Sequence, residues 1–152
     1  MQNVVIIFQA VTQETESLAL AFALGAVQAG GNIRLRHLDR LPSVELAHEG
    51  YGTLRTDDLR WAEGVAIFLE VAQATKGAEL TLALDELAGD GPTRQKSAYL
   101  FDADPDGQSK RNVRRRLLDL GFRAFEEDVP ISPSPEQMTR LGQQFAKAAI
   151  TT

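Results

Sequence analysis

Short apolar runs and helical stretches alternate five times along this chain, and that alternation limits its possible folds more than any other feature. Val4-Val5-Ile6-Ile7-Phe8 and Val65-Ala66-Ile67-Phe68-Leu69 are unbroken apolar runs, the pattern of strands buried on both faces. Asn32 to His37 alternates through Ile33 and Leu35, and Ser97 to Phe101 and Phe125 to Ile131 complete the predicted strands. The spacing predicts helices over Thr15 to Ala29, Thr56 to Ala62, Ala78 to Ala88 and Ser109 to Leu120, with a last one entered at Ser134. Leu80, Ala83, Leu84 and Leu87 share one helical face, as do Val113, Leu117 and Leu120, and as do Met138, Leu141, Phe145 and Ala148. Gly30-Gly31 stops the first helix, and Ser134 supplies an N-cap with Pro135 at the first helical position. Asp39 to Tyr51 is irregular.

Such alternation requires a parallel sheet with right-handed crossovers and helices on both faces. The expected fold class is therefore α/β: a three-layer sandwich around a five-stranded parallel sheet of order 2-1-3-4-5. At 152 residues and 43% hydrophobic content, residues 1–152 suit one domain with one core. Ligands in such sheets bind beyond the carboxyl ends of the strands, at the switch point beside the first strand. The loops that matter are thus Gln9 to Glu14, Glu70 to Gly77 and Asp102 to Gln108.

Composition removes several classes of function. A net charge of −5 opposes nucleic-acid binding, which draws on a positive surface. The lack of cysteine excludes thiolate catalysis, disulfides and cysteine metal sites, and suits a cytoplasmic location. No apolar run approaches the roughly 20 residues of a membrane helix, and no basic region precedes the first strand, so neither a membrane segment nor a signal peptide is expected. His37 and His48 are the only histidines. Neither has an acid, serine or cysteine motif beside it, so both are read as structural, and no metal site is expected.

Several segments carry a more specific likeness. Val11-Thr12-Gln13-Glu14-Thr15-Glu16-Ser17-Leu18-Ala19 resembles the Thr-Gly-Asn-Thr-Glu loop of flavodoxins. It also resembles the Ser-x-x-Gly-x-x-Glu-x-x-Ala pattern of WrbA-type NAD(P)H:quinone oxidoreductases, with Thr12, Thr15, Glu16 and Ala19 in step with one or the other. Ala21-Phe22-Ala23-Leu24-Gly25-Ala26 looks like the family's Ala-Val-Ala-x-Gly-Ala helix, and Trp61 to Phe68 like its Ala-Asp-Gly-Ile-Ile-Phe-Gly strand entry. The spacing from Phe68 to Asp85 matches the family's run to Phe-Leu-Asp, and Pro133-Ser134-Pro135-Glu136 with Gly142-Gln143 resembles its last helix.

The resemblance implies a flavodoxin-like fold holding FMN, and electron or hydride transfer to a quinone-type acceptor as an FMN-dependent NAD(P)H oxidoreductase. It places Thr12, Gln13, Glu14 and Thr15 at the flavin phosphate, Val71, Ala72 and Gln73 along the ring, and Asp102 at the third loop.

The residues themselves leave a second reading open. Small hydroxyl residues and glycine bring backbone N–H groups to a phosphate at a helix N-terminus. Thr12 and Thr15 keep the hydroxyls, but Gln13 stands in place of the glycine, Ala10 in place of a serine, and Glu14 adds an acid. Helix capping explains Thr12 to Thr15 equally well. The second loop lacks a stacking aromatic and its glycines. Asp102-Ala103-Asp104-Pro105-Asp106-Gly107 has the spacing of half a calcium loop but Val113 at the twelfth position, so it reads as a turn. The alternative is a binding or interaction module that has kept the scaffold without flavin. A receiver domain is excluded, because Phe8-Gln9-Ala10 offers no acidic pair. Lys110, Arg111, Arg114, Arg115 and Arg116 read as a solvated face. The first helix carries no charge from Leu18 to Val27, which predicts a second buried side there and a homodimer or higher homo-oligomer through it.

Overall fold

The computed structural model describes residues 2–9, 13–37, 52–69, 96–102, 108–125 and 133–148. Its strands are β1 (Asn3–Gln9), β2 (Asn32–His37), β3 (Gly52–Thr53), β4 (Gly64–Leu69), β5 (Ser97–Asp102) and β6 (Arg123–Ala124). Its helices are α1 (Gln13–Gln28), α2 (Thr56–Trp61), α3 (Gln108–Asp119) and α4 (Pro135–Ala148). The sheet runs β3-β2-β1-β4-β5-β6 with every neighbouring pair parallel. Its five principal strands follow the expected flavodoxin-like order 2-1-3-4-5, and β3 adds a two-residue edge strand beside β2.

Strand alternation divides the core between two faces. Val4, Ile6, Ala66, Phe68, Tyr99 and Phe101 pack under α1 and α4, with Leu18, Phe22, Met138, Leu141 and Phe145 descending from the helices. Val5, Ile7, Val65, Ile67, Ala98 and Leu100 pack on the opposite face with Leu59 of α2 and Val113 and Leu117 of α3. On the first face the rings of Phe22 and Tyr99 stack at 5.2 Å, and Phe68, Phe101, Phe125 and Phe145 extend the cluster.

Two glycines let α1 and α4 touch backbone to backbone. A Cβ on Gly25 would lie 1.9 Å from the Thr139 carbonyl oxygen, and one on Gly142 would lie 2.0 Å from that of Phe22. No side chain fits at either position, so the pair fixes where the helices cross. The apolar stripe of α4 predicted at Met138, Leu141 and Phe145 is buried, and its predicted cap is present: Gln137 N–H donates to Ser134 Oγ, and Ser134 N–H to Gln137 Oε1. Gly30 ends α1 with φ 92°, and the N–H of Gly31 donates to the carbonyl of Ala26.

Some expected boundaries move. α1 begins at Gln13 rather than Thr15, because Gln and Glu are sound helix formers and an acid suits the positive helix end. The last strand pairs at Arg123 and Ala124, ahead of the expected Phe125 to Ile131; Phe125 N–H still donates to Ala98, and residues 126–131 lie outside the described residues. The helix expected over Ala78 to Ala88 also lies outside them.

Candidate ligand site

The carboxyl ends of β1, β4 and β5 finish in one row, with Gln9 opposite Leu69 and Leu69 opposite Asp102. The chain leaves β1 for β2 on one side, and β4 lies on the other, so this row is the topological switch point. α1 begins here. Its first N–H groups have no partner within the helix and carry partial positive charge.

The expected site residues divide as follows. Gln13, Glu14 and Thr15 form the first turn of α1, with Glu14 exposed and Thr15 buried. Asp102 ends β5 in the row. Thr12, Val71, Ala72 and Gln73 lie outside the described residues. Glu16 belongs to this pole as well: it is 5% exposed, and its Oε2 has no hydrogen-bond partner among the described residues. The residue was legible in the motif, but its burial was not.

Could this turn hold a flavin phosphate? The position is right, and the donor set is not. Glu16 stands where the flavodoxin pattern itself has Glu, but the first turn adds a second carboxylate, that of exposed Glu14, and Gln13 stands in place of the pattern's glycine. At a surface-like dielectric, a carboxylate within a turn of a dianion costs on the order of 1 kcal/mol or more per charge. The described residues of the pole do not fit a phosphate dianion.

A second polar cluster was not foreseen. Arg34 and Arg36 alternate with Ile33 and Leu35 on β2, so they point to the α2 side of the sheet. Buried Asp58 of α2 meets both: Arg34 Nη1 donates to its Oδ1 at 3.2 Å and Arg36 Nε to its Oδ2 at 3.1 Å. Asp58 Oδ2 also accepts the Arg55 N–H at 2.9 Å, capping α2. The Arg34 guanidinium lies 4.2 Å from the Trp61 ring centroid. Two arginines on one face of a strand in a doubly wound sheet signal that a counter-charge must come from elsewhere; the signal does not name Asp58.

Two other ionisable groups are perturbed. Lys96 Nζ donates to the carbonyls of Leu59, Arg60 and Ala62, closing the C-terminal end of α2; burial lowers its pKa, and nearby Glu63 partly restores it. Burial among rings pushes the Tyr99 phenol well above its ordinary range. Among the described residues, no cluster of His, Asp or Glu could hold a metal ion, and no helix is long and apolar enough to cross a membrane.

No family model and no curated protein matches the sequence. Solved structures do match the fold. A flavodoxin from the Archaea superposes with TM-score 0.70 at 13% identity, over 97% of this chain and 99% of that one. The solution structure of two-electron reduced Megasphaera elsdenii flavodoxin gives 0.68 at 16% identity, over 95% and 98%. The WrbA-like flavodoxin of Agrobacterium tumefaciens gives 0.62 at 16%, over 99% and 98%. The chain therefore has the flavodoxin-like fold along nearly its whole length. At these identities the likeness concerns the fold alone.

Proposed function

We propose that this chain is a flavodoxin-fold binding module that does not hold FMN through its phosphate. The observation that carries the reading is the first turn of α1, where exposed Glu14 adds a carboxylate beside Gln13, which replaces the glycine of the flavodoxin pattern. On this reading the switch point serves another ligand, because the carboxylate added at Glu14 opposes a dianion there. Such a module self-associates through the outer side of α1, where Leu24 and Val27 are exposed. A monomeric mass by light scattering at micromolar concentration would remove that last element.

A second reading is favoured by the whole-length match to solved flavodoxins: an FMN protein that passes electrons or hydride to a quinone-type acceptor, the flavin supplying the redox chemistry. Purification separates the two. The module is colourless and leaves the fluorescence of added FMN unquenched; a yellow protein with stoichiometric FMN would establish the second reading.

A further inference from the structure

The arginine pair on β2 does more than cover the sheet. A guanidinium offers five N–H donors. Arg34 commits Nη1 to Asp58, and Arg36 commits Nε to Asp58 and Nη1 to the Leu35 carbonyl. Among the described residues, most of the N–H groups on both side chains have no acceptor. The side chains remain 36% and 27% exposed, whereas the Asp58 side chain between them is 5% exposed. Both guanidiniums are thus held in place from the buried side and open on the outer one.

Among the described residues, β2 and α2 with its N-cap carry four guanidiniums, of Arg34, Arg36, Arg55 and Arg60, against the two carboxylates of Asp57 and Asp58. Asp58 answers only one of the two guanidiniums that contact it. Trp61 stacks on Arg34 and limits its rotamers, so little side-chain entropy remains to be lost when an anion docks. At Gly52, the position paired with Arg36, the nearest side-chain atoms to an added Cβ are those of Arg36 itself, at 3.6 Å. The arginine lies over an edge strand that presents no side chain there.

From this geometry we propose that Arg34 and Arg36 form a binding site for the phosphate group of a small soluble molecule. Planar donors set side by side suit the several acceptor oxygens of a phosphate. The site lies on the α2 side of the sheet, away from the acidic first turn of α1, and it stands whether or not flavin binds.

The test follows the arginine Nε–Hε resonances of the intact chain by NMR while inorganic phosphate is added at constant ionic strength. Arg34 and Arg36 are expected to shift saturably, and Arg36→Lys, which keeps the charge facing Asp58, is expected to weaken the response about tenfold. Vesicles containing phosphatidylglycerol are expected to leave both signals unchanged. The proposal is overturned if both resonances stay still, if chloride moves them equally, or if only the vesicles do.

Discussion

On the α1–α4 side of the sheet, Phe22, Phe68, Tyr99, Phe101, Phe125 and Phe145 lie ring against ring beneath two helices that meet at glycines. On the α2 side, over β2, a carboxylate between two guanidiniums occupies the place of apolar contact. The first side tolerates almost no change in shape, because nothing there can move aside for an added atom. The second is held by directional charge contacts that remain open to solvent and to other ions. The helix crossing at Gly25 and Gly142 thus lies toward the end of α1 opposite the first turn at Gln13, and holds the scaffold there by packing alone.

The sharpest way to break this comparison is at the helix crossing. Gly142→Ala and Gly25→Ala each force a Cβ into a backbone carbonyl, and chemical denaturation should show a loss of about 3 kcal/mol or more. Gly30→Ala is the control: nothing lies within 4 Å of its Cβ, and only its φ of 92° opposes the change, so about 1 kcal/mol is expected. Next comes the α2 side. Asp58→Asn leaves two guanidiniums facing each other without a counter-charge and should cost about 2 kcal/mol, less than a fully buried pair would because both arginines reach solvent. That cost should change with salt, whereas the cost at Gly142 should not.

The smallest effect belongs to Lys96. Its pKa lies below the ordinary 10.5, so between the two values the unfolded chain holds a proton that the folded chain has released. Its contribution to stability therefore rises with pH across that window. Lys96→Met should flatten this part of an alkaline stability profile and loosen α2, whose last carbonyls it closes.

What the sequence disclosed follows from the range of each interaction. The runs at Val4 and Val65, the stop at Gly30 and the cap at Ser134 are local patterns, and each stands where the pattern placed it. The strand order followed from alternation and handedness alone. β3 was not legible, since two residues, Gly52 and Thr53, carry no periodicity. Nor were the partners of Arg34 and Arg36, which lie 24 and 22 residues away at Asp58. Gly25 and Gly142 read as ordinary helix positions; their close approach is a property of two helices together. At the ligand pole the motif supplied Thr15 and Glu16, but the burial of Glu16 with an oxygen left unpartnered depends on packing that no local pattern encodes.

Glu14, the acid added to the first α1 turn, keeps a phosphate dianion out of a scaffold otherwise positioned to receive one. Parallel fluorescence titrations with FMN and with riboflavin, which lacks the phosphate, measure this in the native chain and in the Glu14→Gln variant. No preference for FMN over riboflavin is expected in the native chain, and a gain of about tenfold toward FMN in the variant, as when a carboxylate near a dianion is neutralised. A native chain that binds FMN more tightly than riboflavin, or a variant whose preference does not move, would contradict it.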